Sequence, residues 1–194
     1  QRKVLDSCRK RFPDARFLTE EKAHDAGIPL IRDSDIQSLY QGLVFGVDPI
    51  DGTAEFRNQL WEWCMSIGVM RDGIHRGGVI YAPDVRGGTA VIGNRGRGVF
   101  LAERGGLKVE QTRIISPSRK ESVVCVGIDC ARLPSLNRFV NKAAEGVLGL
   151  KSIGSCALGL AFVAAGRIGA LVQPHQKPWD WFAGYPLVEE AGGK

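Results

Sequence analysis

Gly46-Val47-Asp48-Pro49-Ile50-Asp51-Gly52-Thr53 decides how this chain is read. Leu43-Val44-Phe45-Gly46-Val47 is a short apolar run of the buried-strand kind. It delivers two carboxylates three residues apart, Asp48 and Asp51. Pro49 between them fixes one φ near about −65°. Gly52 has no Cβ, so the backbone there can approach a ligand closely. Thr53 adds a hydroxyl and opens a helix, whose N-terminus offers free N–H groups and partial positive charge suited to phosphate. Acids that bind cations, beside donors that bind anions, point to metal-assisted phosphate chemistry. An Asp-Pro turn with an Asx cap accounts for the same residues without any ligand.

On the N-terminal side, residues 1–12 are expected to be helical and to end at Pro13, and Phe17-Leu18-Thr19 is an extended piece leading into Glu20-Glu21. Residues 24–41 are polar and irregular. On the C-terminal side, β-like runs at 64–71, 76–82, 89–93, 98–102 and 106–109 are separated by Gly-containing turns, the spacing of an antiparallel meander. A strand over 123–127 follows, then a helix over 133–148 and an apolar, small-residue helix over 156–166. A strand over 168–172 and a last helix over 179–191, which Pro186 kinks or divides, complete the chain. Helices and strands come in blocks, so a doubly wound order is not expected. No Gly-x-Gly-x-x-Gly or Gly-x-x-x-x-Gly-Lys-Ser/Thr loop supports a nucleotide cofactor.

The 194 residues suffice for one large domain, with two closely packed lobes expected at about 1–115 and 116–194. No apolar run approaches the ~20 residues needed to cross a bilayer. The five cysteines are odd in number and form no Cys-x-x-Cys pair, which argues for a reducing, cytoplasmic setting and against a disulfide or zinc framework. The net charge is +5, with much of the excess between Arg71 and Lys120. Gly93-Asn94-Arg95-Gly96-Arg97-Gly98 has the look of an RNA-binding Gly/Arg segment, but between two strand-like runs it reads better as a hairpin turn. Nucleic acid is therefore not the expected partner.

Two further acidic places matter. Glu20-Glu21 closes the extended piece, and Asp180 lies in Lys177-Pro178-Trp179-Asp180-Trp181-Phe182-Ala183-Gly184. Alone, the first reads as a solvated pair and the second as an N-cap. Taken in order, however, Asp48-Pro49-Ile50-Asp51-Gly52-Thr53 and Trp179-Asp180, Ala183-Gly184 and Glu190-Ala191-Gly192-Gly193 resemble the two signature motifs of the inositol monophosphatase family of lithium-sensitive metal phosphatases. Gly154-Ser155-Cys156-Ala157-Leu158 with Val163 to Arg167 resembles the segment before the second motif, and Glu20-Glu21 the upstream Glu-Glu element. These ordered elements cover residues 17–193.

The resemblance implies an α/β (α+β) fold, a layered αβαβα sandwich with mixed and antiparallel sheets. It implies that Glu20, Asp48, Asp51 and Asp180, with the Ile50 carbonyl, ligate two or three Mg²⁺ ions, for which Mn²⁺ can substitute. It places Gly52 and Thr53 on the phosphate, gives Glu20, Thr53 and Asp51 catalytic roles around the attacking water, and puts Ser155, Cys156, Gln173 and Asp180 near the substrate. It also carries Li⁺ inhibition and a homodimer as expectations. Elementary physics agrees with a cation cage. Carboxylates about 4 Å apart repel by ~4 kcal/mol per pair at an effective dielectric near ~20. All-oxygen donors without His or Cys favour Mg²⁺, Mn²⁺ or Ca²⁺ over Zn²⁺. Paired ions can stabilise both attacking and leaving oxygens of an in-line displacement.

The chain departs from the family pattern. It looks shorter at both ends, so the further metal that an N-terminal loop helps to hold stays undetermined. Gln173, seven residues before Asp180, falls where many members carry an acid that contacts inositol hydroxyls. Ala54-Glu55-Phe56 and Val79-Ile80-Tyr81-Ala82-Pro83 are closer to the bacterial 3′(2′),5′-bisphosphate nucleotidases, whereas Gly154 to Arg167 leans toward inositol phosphatases. The expected activity is a Mg²⁺-dependent phosphomonoesterase acting on a small polar metabolite such as inositol monophosphate or a similar sugar phosphate. A bisphosphate nucleotidase is the first alternative. An RNA-associated regulatory protein of the same fold is the alternative from another class.

Overall fold

The computed structural model describes residues 2–20, 37, 40–103, 108–112, 122–127, 130 and 133–194. Ten strands form two sheets among these residues. The larger has seven strands in chain order: β1 (Arg16–Thr19), β2 (Leu43–Asp51), β3 (Cys64–Arg71), β4 (Ile74–Ala82), β5 (Thr89–Asn94), β6 (Gly98–Glu103) and β7 (Lys108–Thr112). From β2 onward it is the expected antiparallel meander, but β1 joins its edge in parallel to β2. The smaller sheet, β10-β8-β9, is wholly parallel and consists of β8 (Val123–Val126), β9 (Gly149–Lys151) and β10 (Ala170–Val172).

The meander follows from alternation. β3 buries every second side chain from Cys64 to Met70, and Gly-bearing turns reverse the chain between strands. Arg95 to Arg97, between Asn94 of β5 and Gly98 of β6, is such a turn, and Glu190 accepts hydrogen bonds from the Gly96 and Gly98 amides at 2.9 and 2.7 Å. The turn is thus tied to the C-terminal helix.

Helix α1 (Arg2–Arg11) covers one face of the large sheet, placing Leu5 on Phe17, Phe45 and Val47. The other face carries α4 (Cys156–Ala164), α5 (Pro178–Trp181) and α6 (Gly184–Glu190). α4 is apolar all round because it is enclosed, with α6 on one side and β10 of the small sheet on another. Helix α3 (Pro134–Ala144) lies beside the small sheet and shares with β8 and β9 a cavity of about 290 Å³. The short helix α2 (Thr53–Arg57) follows β2.

Three sequence expectations change. The helix expected over 133–148 stops at Ala144, and Gly149–Lys151 forms β9, too short a strand to announce itself by pattern. The helix expected over 179–191 is two helices, broken at Phe182-Ala183; Pro186 sits in the first turn of α6, where its missing N–H is harmless. Strand β2 runs on through the acid motif to Asp51 instead of ending at Val47. Glu21, Arg104, Arg113, Arg119, Lys120 and most of 24–41 lie outside the described residues.

A seam of glycines lets α5 and α6 lie flat on the sheet. Gly46, Gly68, Gly78 and Gly93 stand opposite one another on β2, β3, β4 and β5. A Cβ on Gly46 would enter the Phe182 ring. On Gly68 it would lie 2.5 Å from the Phe182 carbonyl oxygen, on Gly78 2.6 Å from that of Ala183, and on Gly93 2.6 Å from Leu187. The segment that carries Asp180 therefore rests against bare backbone.

Candidate functional site

The acid motif works because its strand is irregular. Asp48 and Asp51, three residues apart, would face opposite sides of a regular strand. Between them β2 advances from Asp48 to Asp51 while β3 moves only from Ser66 to Cys64, so β2 holds one extra residue. This bulge, at Pro49-Ile50, turns both carboxylates to the α5 side. Proline fits there because the bulge leaves one amide without a ladder partner. Ile50 donates its N–H to Asp48 Oδ1 at 3.0 Å, and Thr53 Oγ1 donates to the Ile50 carbonyl at 3.1 Å.

Asp180 meets them from above. It lies in the first turn of α5 and reaches back to accept the Lys177 N–H at 2.7 Å; it is not the N-cap itself. Ligand atoms of Asp48, Asp51 and Asp180 all lie within 4.8 Å of one another. Asp51 is gripped hardest. Its Oδ2 accepts Ser155 Oγ–H at 2.7 Å and Ala157 N–H at 2.5 Å. The Ser155 hydroxyl in turn accepts the Leu158 N–H at 3.1 Å as N-cap of α4, and Cys64 Sγ lies 3.4 Å from it.

Glu20 follows β1 directly. The register Thr19 to Val47 makes Glu20 and Asp48 the next pair along, and the alternation that turns Leu18, Val44 and Gly46 toward α5 puts Glu20 on that side. It is exposed, and it borders the same cleft as Asp48, Asp51 and Asp180. That cleft holds about 530 Å³. Gly52, Thr53, the Ile50 segment and Gln173 also border it. Ser155 and Cys156 do not: both are buried behind Asp51, so neither side chain faces the cleft.

Glu55, Glu62, Ser152 and Gln176 also border the cleft. Sequence reasoning marks Glu55 only as part of the Ala54-Glu55-Phe56 run and gives it no site role, and it carries no signal for the other three. Glu20, Asp48, Asp51, Asp180, Glu55 and Glu62 give the cleft six carboxylates, and no Lys or Arg borders it among the described residues.

Burial pushes Asp48 up to about 8, helped by the charges of Asp51, Glu20 and Asp180 and opposed by the Ile50 N–H. Burial likewise pushes Asp51 up to about 7 against the hydrogen bonds from Ser155 and Ala157. Asp180 is raised by burial against the pull of Lys177. A carboxylate cluster so reluctant to ionise fits a divalent cation, and its all-oxygen donors fit Mg²⁺ or Mn²⁺. The sign of the pH effect follows. Unfolded, these acids lose their protons near about pH 4; folded and ion-free, they keep them to near 7 or 8. Over that window the folded state binds more protons, so its stability falls as pH rises. The melting temperature of chelator-treated protein is expected to drop between pH 5.5 and 8.5, and millimolar Mg²⁺ to restore it at the upper end. A flat profile with no Mg²⁺ response would show that the acids do not form a cation cage.

Among the described residues, no helix is long and apolar enough to cross a membrane. The chain is 34% identical over 194 residues to the inositol-1-monophosphatase of Bacillus subtilis, covering 97% of this chain and 66% of that protein. It is 31% identical over 197 residues to the Nus factor SuhB of Haemophilus influenzae, covering 98% and 66%. The chain thus spans just under two thirds of the length of these relatives. The solved inositol monophosphatase from Anabaena (Nostoc) sp. PCC 7120 superposes with a TM-score of 0.80 at 30% identity, covering 98% of this chain and 70% of that one. With the profile of the inositol monophosphatase family matching residues 1–194 from end to end, the chain belongs to that family.

Proposed function

We propose that this protein is a Mg²⁺-dependent phosphomonoesterase that hydrolyses a monophosphate ester of a small polyhydroxylated metabolite, an inositol monophosphate or a similar sugar phosphate, within a single domain over residues 1–194. The observation that carries this reading is the trio of carboxylates within 4.8 Å at one wall of an open cleft of about 530 Å³. Bound divalent ions would supply Lewis acidity toward phosphate and an acidified water. Glu20, Asp48, Asp51, Asp180 and the Ile50 carbonyl would hold them. Gly52, whose φ of 90° opens α2, and Thr53 would receive the phosphate at the end of β2. The Thr53 hydroxyl donates its proton to Ile50 and keeps its lone pairs for a water, which it would orient together with Glu20. Ser155 would act on Asp51 and not on substrate, holding one oxygen so that the other points at the cations.

The composition of the cleft favours a single phosphate. Six carboxylates and no cation among the described lining residues would repel a second dianion, whereas carboxylates and the amides of Gln173 and Gln176 accept or donate to hydroxyls. A bisphosphate nucleotidase needs a basic group for its other phosphate. The regulatory alternative draws support from the similarity to a Nus factor. Against it, each side chain proposed to hold a cation is an acid: Glu20, Asp48, Asp51 and Asp180. A phosphate-release panel tests the three. Inositol 1-phosphate is expected to be turned over with Mg²⁺ and not with chelator. Preference for adenosine 3′,5′-bisphosphate would select the nucleotidase. No release from any ester, with salt-sensitive RNA binding in chelator, would select the regulatory protein.

A further inference from the structure

We propose that Glu55 accepts a hydrogen bond from the substrate hydroxyl next to the ester oxygen, and so selects phosphate monoesters of vicinal polyols. This rests on the phosphomonoesterase reading above. Glu55 lies in the first turn of α2, two residues after Thr53, and its carboxylate occupies the space a Cβ on Gly154 would fill. A side chain at 154 would displace it. Gly154 directly precedes Ser155, the residue that grips Asp51, so the Glu55 carboxylate lies against the segment that anchors the central acid. Glu55 borders the same cleft as Asp48, Asp51, Gly52 and Thr53, so a hydroxyl of an ester bound there would be within its reach.

Glu55 is half-buried and borders the cleft, and its carboxylate has no hydrogen-bond or ion-pair partner among the described residues. Its charge is aimed at Gly154 and the cleft, which interaction with the dipole of a five-residue helix does not explain. In the same cleft the buried Oε1 of Gln173 also has no partner, and the Gln173 side chain is likewise seated on a glycine, at 2.7 Å from where a Gly127 Cβ would be. A buried acceptor without a partner and a carboxylate on the same cleft are both suited to donors from a ligand, and O–H groups are the donors a polyol offers. An alcohol without such a hydroxyl leaves the carboxylate unpaired.

The test compares myo-inositol 1-phosphate with p-nitrophenyl phosphate, which has no hydroxyl beside its ester, in the full-length protein and in Glu55→Gln and Gly154→Ala. The inositol ester should lose ~10–100-fold in kcat/KM relative to the aryl ester in Glu55→Gln, mainly through KM, as expected for a charged acceptor replaced by an amide. Gly154→Ala, whose methyl group displaces the carboxylate, should shift the ratio in the same direction, and it carries the test if Glu55→Gln does not fold. An unaltered ratio in the folded variants overturns the proposal. So does an equal loss on both esters with weakened Mn²⁺ binding by calorimetry, which would assign Glu55 to the cations. If the parent hydrolyses neither ester, the phosphomonoesterase reading fails. Binding of myo-inositol 1-phosphate to Mn²⁺-loaded protein then decides on Glu55, and equal affinity in parent and Glu55→Gln overturns its role.

Discussion

Asp51→Asn is expected to reduce turnover by at least ~10³-fold while raising the melting temperature of ion-free protein. The two effects have one origin. The carboxylate is buried, with one oxygen committed to Ser155 and Ala157. An asparagine can keep those bonds through its carbonyl oxygen, so the local structure survives. Its NH₂ group then faces the cations and repels them where an oxygen would have bound. Without ions, the same substitution removes a charge that burial and neighbouring Asp180 and Glu20 oppose. Opposite signs for activity and ion-free stability distinguish a cation ligand from a structural cap, whose loss would lower stability in every buffer. Turnover at the parental level, or Mn²⁺ affinity equal to the parent's, would remove Asp51 from the site.

Gly68→Val should lower stability by about 3 kcal/mol or more and weaken Mn²⁺ binding although residue 68 touches no ligand. The new Cβ would meet the Phe182 carbonyl oxygen at 2.5 Å and the Ala183 nitrogen at 2.8 Å, and main-chain atoms cannot rotate out of the way. The Phe182-Ala183 link must lift off the sheet, and Asp180, two residues earlier, moves with it. Gly149→Ala is the control: nothing lies within 4 Å of its Cβ, so a change within ~0.5 kcal/mol is expected. A Gly68→Val protein that melts and binds Mn²⁺ like the parent would mean that the seam does not set the height of Asp180.

Much of this was legible in the chain. The meander followed from alternation and turn glycines, and α4 from its small apolar run, because both depend on neighbours in sequence. The features that aim the acids did not follow, because each depends on a partner far away. The bulge at Pro49-Ile50 exists only relative to Ser66 and Cys64. The parallel pairing that brings Glu20 beside Asp48 joins segments separated by the stretch from 20 to 43. Gly46, Gly68, Gly78 and Gly93 look unrelated until the strands align them under Phe182 and Leu187. The resemblance puts Ser155 near the substrate, but nothing in the sequence shows that its hydroxyl donates to an acid 104 residues away. In the sequence Glu55 stands out only through the Ala54-Glu55-Phe56 run that leans toward the nucleotidases; its glycine seat lies in another part of the chain.

The separation between Asp51 and its supports also governs when the protein can take up ions. Residue 51 leaves the ribosome long before Ser155 and Ala157, and Asp180 emerges later still. A nascent chain carrying only the first acids has neither the clamp nor the third carboxylate, so tight cation capture must wait until Asp180 has emerged. Ions that bind only the finished arrangement draw the population toward it. A divalent cation would then act on this chain as a late folding partner, consolidating molecules whose three acids have met and leaving the others unrewarded.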